Sequence, residues 1–393
     1  MTSAAATAVL TPAEMAIGTP LPTRRQEDWK WTDLRRRIET PYARGAGVAD
    51  PSRVARLIAA DPLAKLPLRR VVFVNGVLDR SHSDLTGLAL KDGAPALAEA
   101  EWLAAMNTTL EAQPVTFTVS GTADRPLHLM FLTLADAPAA AGARVHIDVA
   151  EGASLQFIES HRGIGAYLAN PALTIQLGKG ARMDRAKLEL EGAEATHLAV
   201  AELTLAADAV LRDFTLTSGA ALNRQNGRIT FAGEGADARV TGAYLLGGAQ
   251  HADTRLVVDH QVPRCLSREV FKCVMDGDAR GVFQGKVIVA PDAQKTDGKQ
   301  SSHALLLSER AEFDAKPELE IYADDVVCGH GATSGDLDHD HMFYLMSRGI
   351  PQAEAKAMLI AAFVGEVFDG VDHEGLRDVL TAFAQNWLTA HKS

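Results

Sequence analysis

The sequence predicts a mainly β protein, a solenoid of stacked short strands with helical segments at both ends, and three observations carry that prediction. The tripeptides Glu151-Gly152-Ala153, Lys179-Gly180-Ala181, Ala207-Asp208-Ala209 and Glu234-Gly235-Ala236 return at spacings of 28, 28 and 27 residues. Alternating apolar strands precede three of them: Val145, Ile147 and Val149; Leu173, Ile175 and Leu177; Leu203 and Leu205. Such period-two alternation marks a half-buried strand. Helical spacing of apolar residues occurs only outside this region, before about residue 110 and after Gly335. Short strands at a fixed period, with small residues at equivalent turns, suit a stack of β coils, because each coil has unpaired edges until its neighbour bonds to it. A sandwich of hairpins is the competing architecture, and it predicts no regular return of the same turn.

Taken in order, residues 1–113 read as a helical and mixed domain. A helix is expected after Thr11-Pro12, followed by the cluster Glu27-Asp28-Trp29-Lys30-Trp31-Thr32, whose aromatics read as packing. Pro51 to Ala60 predicts a helix, and Val71 to Val74 predicts a strand running into a tight turn at Asn75-Gly76. Ala94 to Leu110, with Leu97, Trp102 and Leu103, has helical composition that Pro114 ends. Residues 114–335 form the repeating β core, with Leu155, Phe157, Leu211 and Phe214 as further strand positions. Residues 336–393 turn helical again. Pro351 suits a first helical turn, and Ala355, Met358, Leu359, Ala362, Phe363 and Val367 follow at helical spacing, with Ile360 and Val364 widening the apolar face. A second helix from about Glu374 carries Leu376, Val379, Leu380, Phe383, Trp387 and Leu388 on one face. The terminal helices are expected to dock on the stack and to cap its ends.

The 393 residues include 39 basic and 50 acidic side chains, a net charge of -11, which argues against nucleic acid or an anionic membrane as the main partner. Three cysteines without a C-x-x-C pair make no disulfide framework and suit a reducing cytoplasm. Cys265 and Cys273 read as packing within strands. The N-terminus has no signal-peptide pattern, and no stretch approaches the roughly 20 apolar residues of a membrane span.

Chemistry concentrates in Tyr322 to Gly335, YADDVVCGHGATSG. Cys328 and His330 stand two residues apart in a segment read as extended, so thiol and imidazole face the same side and form a plausible soft-metal pair. A closed site needs about four donors, so the others must come from elsewhere in the chain, from a partner or from the ligand. The alternative is a buried cysteine and a hydrogen-bonded histidine at a strand end. Gly281 to Val287 is no phosphate loop, because the spacing is short and Val287 follows Lys286 where a hydroxyl should hold magnesium. Asp336, Asp338 and Asp340 depart from a calcium loop at His341, where glycine is needed, and at Ser347, where a glutamate is needed. A metal-dependent hydrolase or polymer-acting β-helix enzyme using His330, His339, His341 and Asp336 is the second reading; a solvated loop and helix cap is the plainer account of those residues.

Four longer words carry a family resemblance: Gln26 to Thr32, Val287 to Gly298, Lys316 to Gly335 and Phe343 to Ile350. In these the chain resembles the SufB/SufD family of iron-sulfur cluster assembly scaffolds, densely from about residue 255 to 370 and thinly before it. The cysteine that SufB-like chains carry in the segment matching Ser301-Ser302-His303 is absent, which favours the SufD branch. The resemblance implies a right-handed parallel β-helix core and a non-catalytic role supporting iron entry and cluster formation. It also implies partners: a SufB paralogue paired edge to edge and a SufC ATPase gripped by the C-terminal helices. Cys328 and His330 match the family's cysteine and histidine at the SufB seam, where a nascent cluster or transient iron would be shared and nothing permanently bound. In isolation the exposed edge is expected to pair with a second copy, giving a homodimer.

Overall fold

The computed structural model describes residues 9–11, 14–15, 19–38, 41–45, 49–97 and 102–391. Its centre is a parallel β-solenoid in which each coil gives one strand to each of two sheets. One ladder runs through Ala139–Val149, Tyr167–Leu177, Thr196–Leu205, Leu222–Phe231, His251–His260, Arg280–Val289 and Glu312–Ile321. The other runs through Arg69–Val74, Leu127–Leu134, Ser154–Ile164, Arg182–Glu189, Val210–Thr217, Asp237–Leu246, Leu266–Met275, Asp297–Leu306 and Val327–Gly335. Every step in these two ladders is parallel, so hairpins do not build the stack.

Register explains why the alternation was visible. Ile147, Ile175, Leu203 and Ile229 sit side by side in successive coils, all within the apolar core between the sheets. Leu155, Met183, Leu211 and Ala238 form a matching row opposite. Phe214 lies in the strand Val210–Thr217 as expected, and it faces out to the C-terminal helices, meeting Phe368 edge-on at 5.7 Å.

The repeated tripeptide also has a physical cause. Gly152, Gly180, Asp208 and Gly235 have φ of 66, 63, 57 and 75°, and the position continues at Arg264 and Lys295 with φ of 60 and 63°. This left-handed backbone favours glycine or aspartate. The first three N–H groups donate to carbonyls of the next coil, at Lys179, Ala207 and Glu234, over 2.8 to 2.9 Å. The following residue then turns inward: Ala153, Ala181, Ala209, Ala236 and Cys265 are all fully buried. Cys265 therefore fills an alanine position in a turn, not in a strand as expected, whereas Cys273 is buried in the strand Leu266–Met275.

The N-terminal end of the stack is closed by short antiparallel strands. Val77–Asp79 folds back on Arg69–Val74 through the Asn75-Gly76 turn, and Ala89–Asp92 pairs with Pro114–Val119. A Cβ at Gly76 would lie 2.1 Å from the Gly142 carbonyl oxygen, so only glycine lets this turn rest on the next coil. The helix Pro51–Ala59 is present, with Asp50 capping it. In the Ala94 to Leu110 segment, the described helix is Trp102–Thr109 and Ala94 to Leu97 are non-helical. The helix expected after Thr11-Pro12 falls partly outside the described residues, although Glu14 and Met15 form a turn.

The terminal helices cover the flanks of the stack and do not cap its ends. Gln352–Phe368 and Glu374–Ala390 lie against Ile158, Ala186, Leu188, Phe214, Leu245 and Val274, on the outer face of one sheet. The docked face of the first helix is Ile360, Val364, Val367 and Phe368. Met358 and Ala362 from the expected stripe point outward, because apolar spacing alone does not say which of two faces meets the core. On the other flank Trp29, Leu34, Trp102, Leu103 and Met106 pack over Leu168, Leu198, Val200 and Leu222. The C-terminal end of the stack is left open. Glu312–Ile321 and Val327–Gly335 each pair on one side only among the described residues, and neither contains a buried residue.

Candidate functional site

Cys328 and His330 lie on the last strand of one sheet, at this open end. In register, Ser267, Gly298 and Cys328 form one row, and Glu269, Gln300 and His330 form the next. On the Leu266–Met275 strand, the face holding Ser267 and Glu269 also holds Phe271, Cys273 and Met275 of the core, so these two rows face the inside of the coil. Cys328 is half-buried against the core, and burial pushes its thiol up. His330 is exposed because no further coil covers it. Gly329 and Gly331 face the opposite way, and a Cβ on either would meet nothing within 4 Å. The strand therefore presents inward a thiol and an imidazole, and outward bare backbone. Asp325 is occupied with the turn below it: its carbonyl accepts from the Lys295 N–H at 2.6 Å, and its carboxylate pairs with the Lys295 ammonium.

The domain family described as "SUF system FeS cluster assembly, SufBD core domain" matches residues 131–363, which spans most of the solenoid together with the open edge. The chain belongs to the SufBD family. Within it, the Escherichia coli iron-sulfur cluster assembly protein SufD is 34% identical over 386 residues, covering 94% of this chain and 90% of that one. A SufBD family iron-sulfur cluster assembly protein of Synechocystis is 29% identical over 386 residues, covering 89% and 84%. Bacillus subtilis SufD is 39% identical over 109 residues, covering 28% and 25%. The chain is thus a SufD of the SufB/SufD family, with a role in the SUF system of iron-sulfur cluster assembly.

The words that carried the resemblance turn out to be structural in part. Gln26 to Thr32 is a clasp across several coils. The Asp28 carbonyl accepts from Arg224 Nη2 (2.9 Å) and Gln284 Nε2 (3.2 Å), and its carboxylate pairs with Arg255 at 3.2 Å. Thr32 Oγ1 donates to Asp253 Oδ2 (2.5 Å), and Glu27 reaches Lys316 (2.9 Å). Trp29 is buried under the Arg224 guanidinium, 4.5 Å from its ring. Trp31 is half-buried beneath the Lys30 ammonium. Gly281 to Val287 lies wholly inside the strand Arg280–Val289, which settles it as a strand and not a phosphate loop. Asp338 caps the helix His339–Ser347, accepting from the N–H groups of Asp340 and His341. No group of three metal-ligating side chains gathers at residues 330 to 341 among the described residues.

Sequence reasoning missed a charged network inside the early coils. Arg185 pairs with Glu159 and Asp213 at 2.9 Å, and Lys187 pairs with Glu189 at 2.6 Å, all buried. His161, Glu191 and His197 bring three ligand atoms within 4.8 Å of one another. Burial pulls His197 down, but the Glu191 and Glu189 carboxylates outweigh it and carry the imidazole up to about 9. A protonated imidazole donates from both nitrogens, here to Glu191 (2.7 Å) and Glu189 (3.0 Å), and has no lone pair for a metal. These charges sit at inward strand positions where alternation announces apolar residues, so only their own identity in the sequence signals them.

Proposed function

We propose that this chain is a non-catalytic subunit of a SufBCD scaffold, supporting iron entry and cluster formation where its open solenoid end meets a SufB paralogue. The observation that carries the proposal is the placement of His330, exposed on the last strand beside the half-buried Cys328. Neutral imidazole and thiolate are competent iron ligands, and a seam between two chains supplies the donors that one strand lacks. The free strand edges offer main-chain groups for a parallel or antiparallel neighbour. Ile321, Tyr322 and Val327 are 39, 62 and 59% exposed, apolar surface beside that edge of the kind a partner covers.

The SufC ATPase has a separate surface in this reading. The helix His339–Ser347 buries none of its residues, and Phe343, Tyr344 and Met346 stand 75, 55 and 43% exposed. A helix with exposed aromatics and no fully buried residue is suited to a partner's groove. Nucleotide hydrolysis then belongs to that partner. Iron is cargo here, shared transiently with SufB, and no resident cofactor is required.

His330→Ala in the reconstituted complex should lower cluster assembly, read by iron and sulfide content, while gel filtration shows the complex intact. Unchanged assembly would remove His330 from this account. Without its paralogue the chain should pair with a second copy through the same edge. Light scattering then gives twice the chain mass, and a monomer at high concentration would contradict edge pairing.

A further inference from the structure

Behind His330 the same row continues inward to Gln300 and Glu269. Glu269 is 1% exposed and Gln300 4%. Both carboxylate oxygens of Glu269 and Oε1 of Gln300 are buried without a hydrogen-bond partner. They are register neighbours, so their backbones are about 4.8 Å apart. Three buried acceptor atoms thus stand on adjacent coils, with the Ser267 hydroxyl the one neighbouring donor that bears on the carboxylate.

The surroundings place no cation against the Glu269 carboxylate. A Cβ at Gly285 would lie 2.1 Å from Gln300 Oε1, and one at Gly298 would lie 3.4 Å from Ser267 Oγ and 3.7 Å from Cys328 Sγ. Gly285 thus lets Gln300 Oε1 rest against its backbone, and Gly298 separates Ser267 from Cys328. The Gln300 amide nitrogen is turned away, donating to the Glu318 carbonyl at 3.2 Å. Ser267 Oγ stands beside His260 Nε2 at 3.1 Å. Arg268, the nearest cation bearing on Glu269, points to the other face and pairs with Asp297 at 2.5 Å. Cys328 lies close enough to feel the Glu269 charge.

We propose that Glu269, with Gln300 Oε1 and Ser267 Oγ, forms an inner site for a divalent cation, ferrous iron in this system, on the coil-interior side of the Cys328 and His330 edge. This rests on the reading of that edge as the iron-handling end. Oxygen donors of this kind suit a divalent ion that keeps several waters. His330, Gln300 and Glu269 stand on consecutive rungs, so an ion admitted past the imidazole meets an amide oxygen and then a carboxylate. The inner site offers iron oxygen donors until the partner's donors complete the outer one.

The test is anaerobic titration of the full chain with ferrous iron alone, followed by calorimetry, for the parent, Glu269→Gln, Gln300→Leu and His330→Ala. The expected result is one saturable ion on the parent. Glu269→Gln should weaken binding at least tenfold, and Gln300→Leu should weaken it measurably. Circular dichroism shows which variants are folded, and the Gln300→Leu arm keeps the proposal exposed should Glu269→Gln fold poorly. No saturable binding by the parent, or parent-like binding by both interior variants, overturns the inner site. Binding lost only in His330→Ala also overturns it and leaves the edge as the sole site. Failure of the edge reading is seen separately, as unchanged cluster assembly by the His330→Ala complex.

Discussion

Arg224→Ala should cost about 3–5 kcal/mol of folding stability and release the N-terminal clasp, the largest single-site effect expected in this molecule. Arg224 is fully buried and meets Asp253 Oδ2 at 2.5 Å. Its Nε donates to Asn226 Oδ1 at 2.9 Å, its Nη2 donates to the Asp28 carbonyl, and its plane lies over the Trp29 ring. Truncation leaves Asp253 as a buried carboxylate whose chief cation is gone, and also removes the aromatic contact and a tie to the clasp. Urea unfolding gives the stability, and a red shift with solvent quenching of tryptophan emission reports the release of Trp29. The double variant Arg224→Ala, Asp253→Ala should regain part of the loss, because it removes the stranded charge. A single variant within 1 kcal/mol of the parent would show that the clasp is held elsewhere.

In metal-free protein, stability should fall by roughly 3–6 kcal/mol between about pH 6 and pH 9. Two buried groups act in the same direction. Burial pushes Glu269 up from 4.5 to about 8, only partly offset by the Ser267 hydroxyl and Arg268. The folded state therefore holds this proton more tightly, and the cost of ionising the group builds as pH climbs from 4.5 to 8. His197 is carried from 6.5 up to about 9 against the opposing effect of burial. Its ion pairs with Glu189 and Glu191 contribute fully below 6.5 and are lost as pH passes 9. Denaturant midpoints across this range read the slope. Glu269→Gln should flatten the curve and raise stability at the alkaline end by about 2–4 kcal/mol. A curve for that variant lying on the parent's would show that Glu269 does not titrate there.

Much of the fold was legible because a solenoid repeats its constraints. Val145, Ile147 and Val149 alternate because one face of their strand closes the core, and Gly152 to Gly235 recur because each coil needs one left-handed residue at the same corner. The repeat blurs where that corner is taken by Arg264 and Lys295, whose identities do not announce a positive φ. That Cys328 and His330 share one face of a strand was readable from their spacing. Glu269 was not, since an isolated glutamate among Ser267, Arg268 and Val270 looks like any exposed strand position. Its meaning comes only from register, which sets it two rungs behind His330. The docked face of Gln352–Phe368 was likewise undetermined, because both faces are apolar and the choice depends on Phe214, Leu245 and Val274 from distant coils.

The short antiparallel strands at the start of the stack give it a beginning and no matching finish. The stack therefore has one closed end and one receptive tip. At that tip Glu312–Ile321 and Val327–Gly335 keep main-chain donors and acceptors on a side that no described strand occupies, so the end of the coil is an unfinished ladder.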